Sequence, residues 1–333
     1  MVFWKFKPTI SSESTFTSDV IEKYALTSPT GTSAIRVTNQ TATPELKTEI
    51  CTFLRDYFGD PPHTPILDIP EDKLLDTHDY VFYIRDKEGQ LAGTIRYRHT
   101  GELLINKDPT SWPTIYRVDG FCIRPDWRKK GVGDYLLTEL QRYATMKGQP
   151  YAMFLKEGGD FLKDMLSLSP PLYSGVYAYR KITYNKTKQW KNVRIFSPLQ
   201  AYHMLEWYHR LYPNIFIIRN QHDGQHWRYY KNGYHTILAC FQDSYQRIPE
   251  TGEKMGWCTA WLESSTLTDE IRYKASLEIT NTLPSFDYIW INKKWVGNRV
   301  NKHSAWSEDG GYFWYTYQWS TNLKVDVSMC ALD

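Results

Sequence analysis

Apolar positions recur with two periods along this chain, and the switches between them mark its elements. A short β-type run at residues 34–37 is followed by Leu46, Ile50, Phe53, Leu54 and Tyr57 at helical spacing. Thr43 suits the N-cap and Pro44 the first turn, while Gly59-Asp60-Pro61-Pro62 ends the helix. A short helix near residues 70–75 precedes two alternating runs, 80–85 and 91–98, which read as antiparallel strands around the turn from Asp86 to Gln90. Tyr116, Val118, Phe121, Cys122 and Ile123 then form a β-branched and aromatic strand that stops at Arg124-Pro125, where proline offers no ladder donor. Val132, Leu136, Leu137, Leu140 and Ala144 share one helix face, and Lys147-Gly148 closes it. A strand at 151–155, a helix at 160–166 and a strand at 176–182 complete this half.

The pattern then begins again. A strand at 193–196 leads into a helix opened by Ser197-Pro198 and running through Tyr202, Leu205 and Tyr208 to Leu211. Strands at 215–219, 226–231 and 234–241 are separated by Asp223-Gly224 and Asn232-Gly233, both hairpin turns. A strand at 256–263, a helix at 268–282, a strand at 288–292 and a closing hairpin of 312–319 with 325–331 follow. The second half repeats the first in element order. Residues 1–33, rich in Ser, Thr and Pro around Phe3-Trp4, read as an arm.

Between the strand ending at Ile123 and the helix starting at Val132 lies Arg128-Lys129-Lys130-Gly131-Val132-Gly133. Two glycines permit tight turning and close approach, the cations attract negative charge, and the following helix aims its N-terminus at the loop. This is an anion cradle. No Lys-Ser or Lys-Thr follows the second glycine, which separates it from a nucleotide P-loop, and its glycine spacing differs from the dinucleotide fingerprint. The corresponding stretch of the second half, Glu263-Ser264-Ser265-Thr266-Leu267-Thr268, has neither glycine nor cation and should hold no coenzyme.

Composition adds bounds. Of 333 residues, 41% are hydrophobic and 23% charged, enough for a sizeable core in one or two domains. A net charge of +3 argues against bulk nucleic-acid binding, although the Arg124–Lys130 cluster suits a polyanion of coenzyme size. Cys51, Cys122, Cys240, Cys258 and Cys330 are too dispersed for a disulfide framework or a zinc site, so a reducing, cytoplasmic setting and no metal are expected. His222 and His226 flank an Asp-Gly turn, which disfavours a shared metal. No apolar run is long enough to span a membrane, so a soluble protein is expected.

The pattern Arg128-x-x-Gly131-x-Gly133 after a strand and before a helix resembles motif A of the GNAT acyltransferase superfamily. The element order is similar to that fold as well, so the class expected is α+β (mixed α/β): a duplicated GNAT fold of two splayed mixed sheets with flanking helices. A double fold with one coenzyme loop resembles the N-myristoyltransferase family. The motifs that carry this likeness are Phe3-Trp4 with Pro8, Phe121-Cys122-Ile123 before the basic loop, Leu168-Ser169-Pro170-Pro171, Tyr177-Ala178-Tyr179-Arg180 and Tyr317-Gln318-Trp319.

The resemblance implies residues 1–33 as an arm over the coenzyme, 34–190 as the acyl-CoA-binding domain, and 191–333 as a domain shaping the acceptor site. It implies acyl-CoA contacts at Phe3, Trp4, Phe121, Cys122, Ile123, Arg128, Lys129, Lys130, Gly131, Val132 and Gly133. Gly120 and Phe121 amides would polarise the thioester carbonyl, and the main-chain carboxylate of Asp333 would take the amine proton, with Asp119 as the rival base. The expected reaction is transfer of an acyl group, myristoyl first, to an N-terminal amine of a protein or peptide. The segment from Phe58 to Pro62 lacks the carboxylate cluster with which that family meets basic peptides, and Gly131-Val132-Gly133 is closer to an ordinary acetyltransferase. Two alternatives stay open: acetyl-CoA-dependent acylation of a small amine or protein lysine, and a catalytically silent coenzyme-binding or interaction module.

Overall fold

A computed structural model of the chain describes residues 10–11, 27–59, 66–104, 112–149, 151–157, 173–182, 190–219, 224–264, 267–297, 304–317, 319–320 and 329–331. Phe3, Trp4, Asp333, the helix expected at 160–166 and much of the expected 325–331 strand lie outside them.

The first half contains β1 (Ile10–Ser11), β2 (Ile35–Val37), α1 (Pro44–Tyr57), β3 (Ile66–Leu67), α2 (Glu71–Leu74), β4 (Tyr80–Arg85), β5 (Leu91–Leu103), β6 (Thr114–Ile123), α3 (Val132–Met146), β7 (Ala152–Glu157) and β8 (Tyr173–Lys181). The second contains β9 (Val193–Phe196), α4 (Pro198–Leu211), β10 (Ile218–Arg219), β11 (His226–Asn232), β12 (His235–Arg247), β13 (Lys254–Glu263), α5 (Asp269–Thr280), β14 (Tyr288–Asn292), β15 (Ser307–Thr316), β16 (Trp319–Ser320) and β17 (Met329–Ala331). Local chemistry sets the helix starts: Thr43 accepts from the Leu46 amide ahead of Pro44, and Ser197 and Gln200 form a reciprocal capping box ahead of Pro198.

The mixed sheets expected of the two halves join edge to edge into one continuous sheet. Its order is β2-β4-β5-β6-β7-β15-β8-β14-β13-β12-β11-β9. Read from either end it is the same succession of elements, which is the duplication made visible. Among the described residues the expected closing hairpin is not seen. Instead β15 crosses to the first half and lies between β7 and β8, while β8 pairs with β14 of the second half. Each half thus gives a strand to its twin, and the backbone groups of four would-be edges are satisfied together.

Helix α3 lays Val132, Leu136, Leu137 and Leu140 on one face of β4, β5 and β6, and α1 covers the other face with Ile50, Phe53 and Leu54. Gly93 of β5 sets how near α3 comes: a Cβ there would stand 2.7 Å from Ile123 Cδ1 and 3.1 Å from Val132 Cγ1. At the join of the halves Trp257, Trp290, Trp314 and Tyr177 belong to one buried cluster, with Trp257 stacked on Trp314 at 5.6 Å and Tyr177 on Trp290 at 4.1 Å.

Candidate active site

The site is built on an irregularity in β6. Thr94 of β5 pairs with Cys122 and Arg96 with Asp119, so the single residue Ile95 faces both Gly120 and Phe121. This is a β-bulge, which takes backbone groups out of the ladder and turns them elsewhere. Gly120 has φ +55°, a left-handed conformation that L side chains adopt at a cost. Thr94 Oγ1 donates to the Gly120 carbonyl at 3.1 Å and fixes the peptide plane.

Phe121 projects from the bulge toward α3, and a Cβ on Gly133 would lie 3.0 Å from its Cζ. The loop between is shaped by Arg128, which donates to the carbonyls of Ile123 at 3.0 Å and Tyr57 at 3.1 Å. Lys129 at φ +62° and Gly131 at φ +86° complete the turn into the helix. Gly131 is the N-cap and offers no side chain to the first-turn amides, so these point out with the positive end of the helix dipole behind them. Arg128, Lys129 and Lys130 are exposed beside them. Arg124 is not part of this anion surface, because it is paired with Asp86 at 2.6 Å and Asp126 at 2.7 Å and also donates to the Leu91 carbonyl.

On its other side the bulge faces a cavity. Strands β6 and β7 are parallel partners only at Tyr116–Ala152 and Arg117–Met153, and beyond these they part. The opening is a pocket of about 460 Å³ lined by Asp119, Gly120, Phe121, Phe154, Lys156 and, from the second half, Trp257 and Tyr245 among others. The second half has the same geometry with the opening filled: β13 and β14 run parallel through Met255, Gly256 and Trp257, after which β17 occupies the edge of β13 from Ala260 to Leu262. Its following helix is also closed, since Thr268 caps the Ile271 amide at 3.3 Å.

Residues 47–160, which span bulge, loop and splayed strands, match the profile of the Acetyltransferase (GNAT) family. These residues carry the GNAT fold. Two structures of Saccharomyces cerevisiae N-myristoyltransferase are similar in fold. One, with bound myristoyl-CoA, has a TM-score of 0.58 and 10% identity over 95% of this chain and 92% of the yeast chain. The other, with myristoyl-CoA and inhibitors, has a TM-score of 0.60 and 10% identity over 99% of this chain and 95% of the yeast chain. No curated protein matches the sequence.

Within this GNAT site Asp119 is tied down. Arg96 donates to both of its carboxylate oxygens, at 2.5 and 2.9 Å, and also to the carbonyl of Leu74 at 3.2 Å. Arg98 and Arg117 approach the same carboxylate at 3.3 and 4.0 Å. Burial pushes this carboxyl up, but the three guanidinium groups outweigh it and hold the pKa down at about 2. A carboxylate held so low is a weak proton acceptor, so its place is that of a counter-ion beneath the bulge. Cys122 is buried and its thiol is pushed up to about 12 by burial, which keeps it protonated and unreactive.

The structure therefore brings Asp119, Gly120, Phe121, Cys122, Ile123, Arg128, Lys129, Lys130, Gly131, Val132 and Gly133 into one region. Sequence reasoning missed Arg96, Arg98 and Arg117. Their signal was there: Arg96 and Arg98 are two apart on one strand, as are Arg117 and Asp119 on the next, so each pair shares a sheet face. It also missed the aromatic wall from the second half, where Trp257 and Trp314 seat the Arg117 guanidinium at 4.4 and 5.3 Å from their ring centroids. The described residues contain no cluster of side chains fit for a metal and no helix long and apolar enough to cross a membrane.

Proposed function

We propose that this acyltransferase moves a fatty acyl group, with myristoyl the first choice, from acyl-CoA to the N-terminal amine of a protein or peptide. The observation that carries the reading is the bulge at Gly120 and Phe121, set between an uncapped helix N-terminus and an aromatic-walled cavity. In it the coenzyme pyrophosphate lies on the amides from Lys129 to Gly133, with the lysine charges beside it and Arg128 holding the loop in shape. Phe3 and Trp4 cover the coenzyme, and Cys122, Ile123 and Val132 wall it. The thioester carbonyl rests against the Gly120 and Phe121 amides, where negative charge develops on its oxygen. The acceptor amine occupies the cavity and attacks the carbonyl carbon directly: the C–N bond forms, the C–S bond breaks, and the thiolate leaves as coenzyme A. The Asp333 carboxylate takes the amine proton, since Asp119 is committed to Arg96. Residues 34–190 bind acyl-CoA and 191–333 shape the acceptor site.

The likeness to a myristoyl-CoA-bound fold over 99% of this chain supports the myristoyl group. A second reading, acetyl transfer to a small amine or protein lysine, is favoured by the family profile matched and by the two loop glycines. Thermal stabilisation by acetyl-, myristoyl- and palmitoyl-CoA separates them, because a ligand at a hundred times its Kd adds about 2.7 kcal/mol. Myristoyl preference supports the first reading, acetyl preference the second. No shift with any of the three would sink the coenzyme site, and a shift without release of coenzyme A thiol to any amine would make the chain a silent binding module.

A further inference from the structure

The wall that the second half gives to the cavity carries one residue in a conformation its side chain disfavours. Tyr245 has φ +57°, a left-handed setting that a bulky L residue adopts only where its surroundings impose it. Here they do. Between the pairs Asp243–Gly256 and Arg247–Lys254, β12 sets three residues against Met255 alone, and the bulge is tied on every side. Asp243 accepts from the Tyr245 amide at 2.7 Å and holds Arg247 through two bonds of 2.9 Å. Ser244 Oγ donates to the Met255 carbonyl at 2.7 Å and accepts from the Gln246 amide at 3.2 Å. From the first half, the Asp68 amide donates to the Tyr245 carbonyl at 2.7 Å, directly after β3 has paired with Gln246 and Arg247. The ring held this way lines the cavity that Gly120 and Phe121 face. It packs on the cluster that contains Leu54 and Cys122, and Leu54 Cδ1 is 4.0 Å from where a Cβ on Gly120 would stand, so ring and bulge share a neighbour. The polar groups around it are committed: Asp119 to Arg96, Asp243 to Arg247, Ser244 to Met255, and Gln242 Nε2 to Thr259 Oγ1 at 3.4 Å. The Tyr245 hydroxyl has no hydrogen-bond partner among the described residues, and it is not sealed within the packing.

We infer that the Tyr245 hydroxyl is an acceptor-binding group, which takes a hydrogen bond from the substrate amine and turns the amine's lone pair toward a thioester held at Gly120 and Phe121. The inference deepens the proposed reaction and rests on it for the thioester. Burial pushes the Tyr245 phenol up, so the group that meets the amine is a neutral hydroxyl with free lone pairs. A carboxylate in its place would stabilise the ammonium form, which has no lone pair with which to attack; a neutral oxygen binds the free base. The hydroxyl exchanges no proton with the substrate and only aims it. The tied bulge explains why a strained backbone is kept there, since a rotor on a relaxed strand would give the same hydrogen bond without the fixed direction.

Calorimetric titration of the full chain, loaded with a non-reactive thioether analogue of myristoyl-CoA, tests this without turnover. The probes are a short peptide amide that starts with glycine and its desamino counterpart, identical except that the terminal amine is replaced by hydrogen. Tyr245→Phe removes one oxygen and leaves ring and backbone in place. The expected result is that this variant melts with wild type, binds the coenzyme analogue with the same Kd, and binds the glycine peptide about tenfold more weakly, the loss of one neutral hydrogen bond, while the desamino peptide binds both proteins equally. Equal affinity of the two proteins for the glycine peptide, with the coenzyme analogue bound by both, overturns the inference and leaves the acyltransferase reading intact. An equal loss for both peptides overturns it too, because the hydroxyl would then meet some other part of the acceptor, and a loss of coenzyme affinity in Tyr245→Phe would make the role merely structural. Wild-type protein that binds no coenzyme analogue sinks the proposed reaction, and the inference falls with it.

Discussion

Replacing Asp119 by asparagine separates the two tasks a strand carboxylate can have. As a counter-ion its worth follows from the structure. The carboxyl is held at about 2 against an ordinary 3.8, which corresponds to about 2 kcal/mol of stability from this group. The folded value is depressed, so the contribution is fully present above pH 4 or so and is lost as pH falls through about 2. The Asp119→Asn change would leave Arg96, Arg98 and Arg117 mutually repelling in a place where their side chains are only 6%, 17% and 13% exposed. Removing one partner of such a buried group costs about 3–5 kcal/mol, and the amide oxygen keeps one bond, so a loss near the lower figure is expected. Denaturant titration at pH 7 should show it, and the gap between Asp119→Asn and wild type should narrow toward pH 2. The acid limb of the pH–rate profile should stay where it is. A variant as stable as wild type at pH 7, with kcat down a hundredfold and the acid limb gone, would refute the argument and make Asp119 the base.

Three further outcomes follow from single contacts. Gly120→Ala forces a side chain into φ +55° with its Cβ 3.4 Å from Arg96 Cβ; it should cost about 1–2 kcal/mol and lower kcat about tenfold through misaimed amides, and an unchanged kcat would count against the oxyanion assignment. Gly131→Val, at φ +86°, should shrink the acyl-CoA-induced thermal shift, whereas Thr268→Ala at the matching helix of the second half should cost about 1 kcal/mol and leave that shift intact. Cys122, with its thiol raised to about 12, should resist alkylation at pH 8 in the native protein and react on unfolding, as read by mass spectrometry.

What could be read in advance tracks the range of the interaction. Thr43 and Pro44, Ser197 and Pro198, and the Asn232-Gly233 turn act within a few residues, and their elements begin or end where local chemistry places them. The loop from Arg128 to Gly133 was legible for the same reason. The crossing of β15 into the first half was not, because alternation marks residues 312–316 as a strand without naming a partner more than 130 residues away. Apolar and aromatic content at Tyr312, Trp314 and Tyr315 suits a hairpin and an inserted strand equally. The arginines of the site were hidden differently: Arg96, Arg98 and Arg117 look like solvated charges on one-sided strands, and only the register that sets Arg96 against Asp119 and Arg98 against Arg117 gathers them indoors.

The duplication makes the functional asymmetry a matter of small differences on a shared frame. Both halves splay after a short parallel pairing, at Arg117–Met153 in one and Trp257–Trp290 in the other. In the first the gap stays open and the helix beyond it starts on a glycine with uncapped amides. In the second β17 fills the edge of β13, Thr268 caps the helix, and Glu263, at the matching strand end, is locked by two bonds from Arg272 and one from the Trp261 indole. Any one of these would discourage an anionic coenzyme; together they convert the second splay from a binding slot into a wall. Trp257 and Trp290 of that wall line the cavity of the first half.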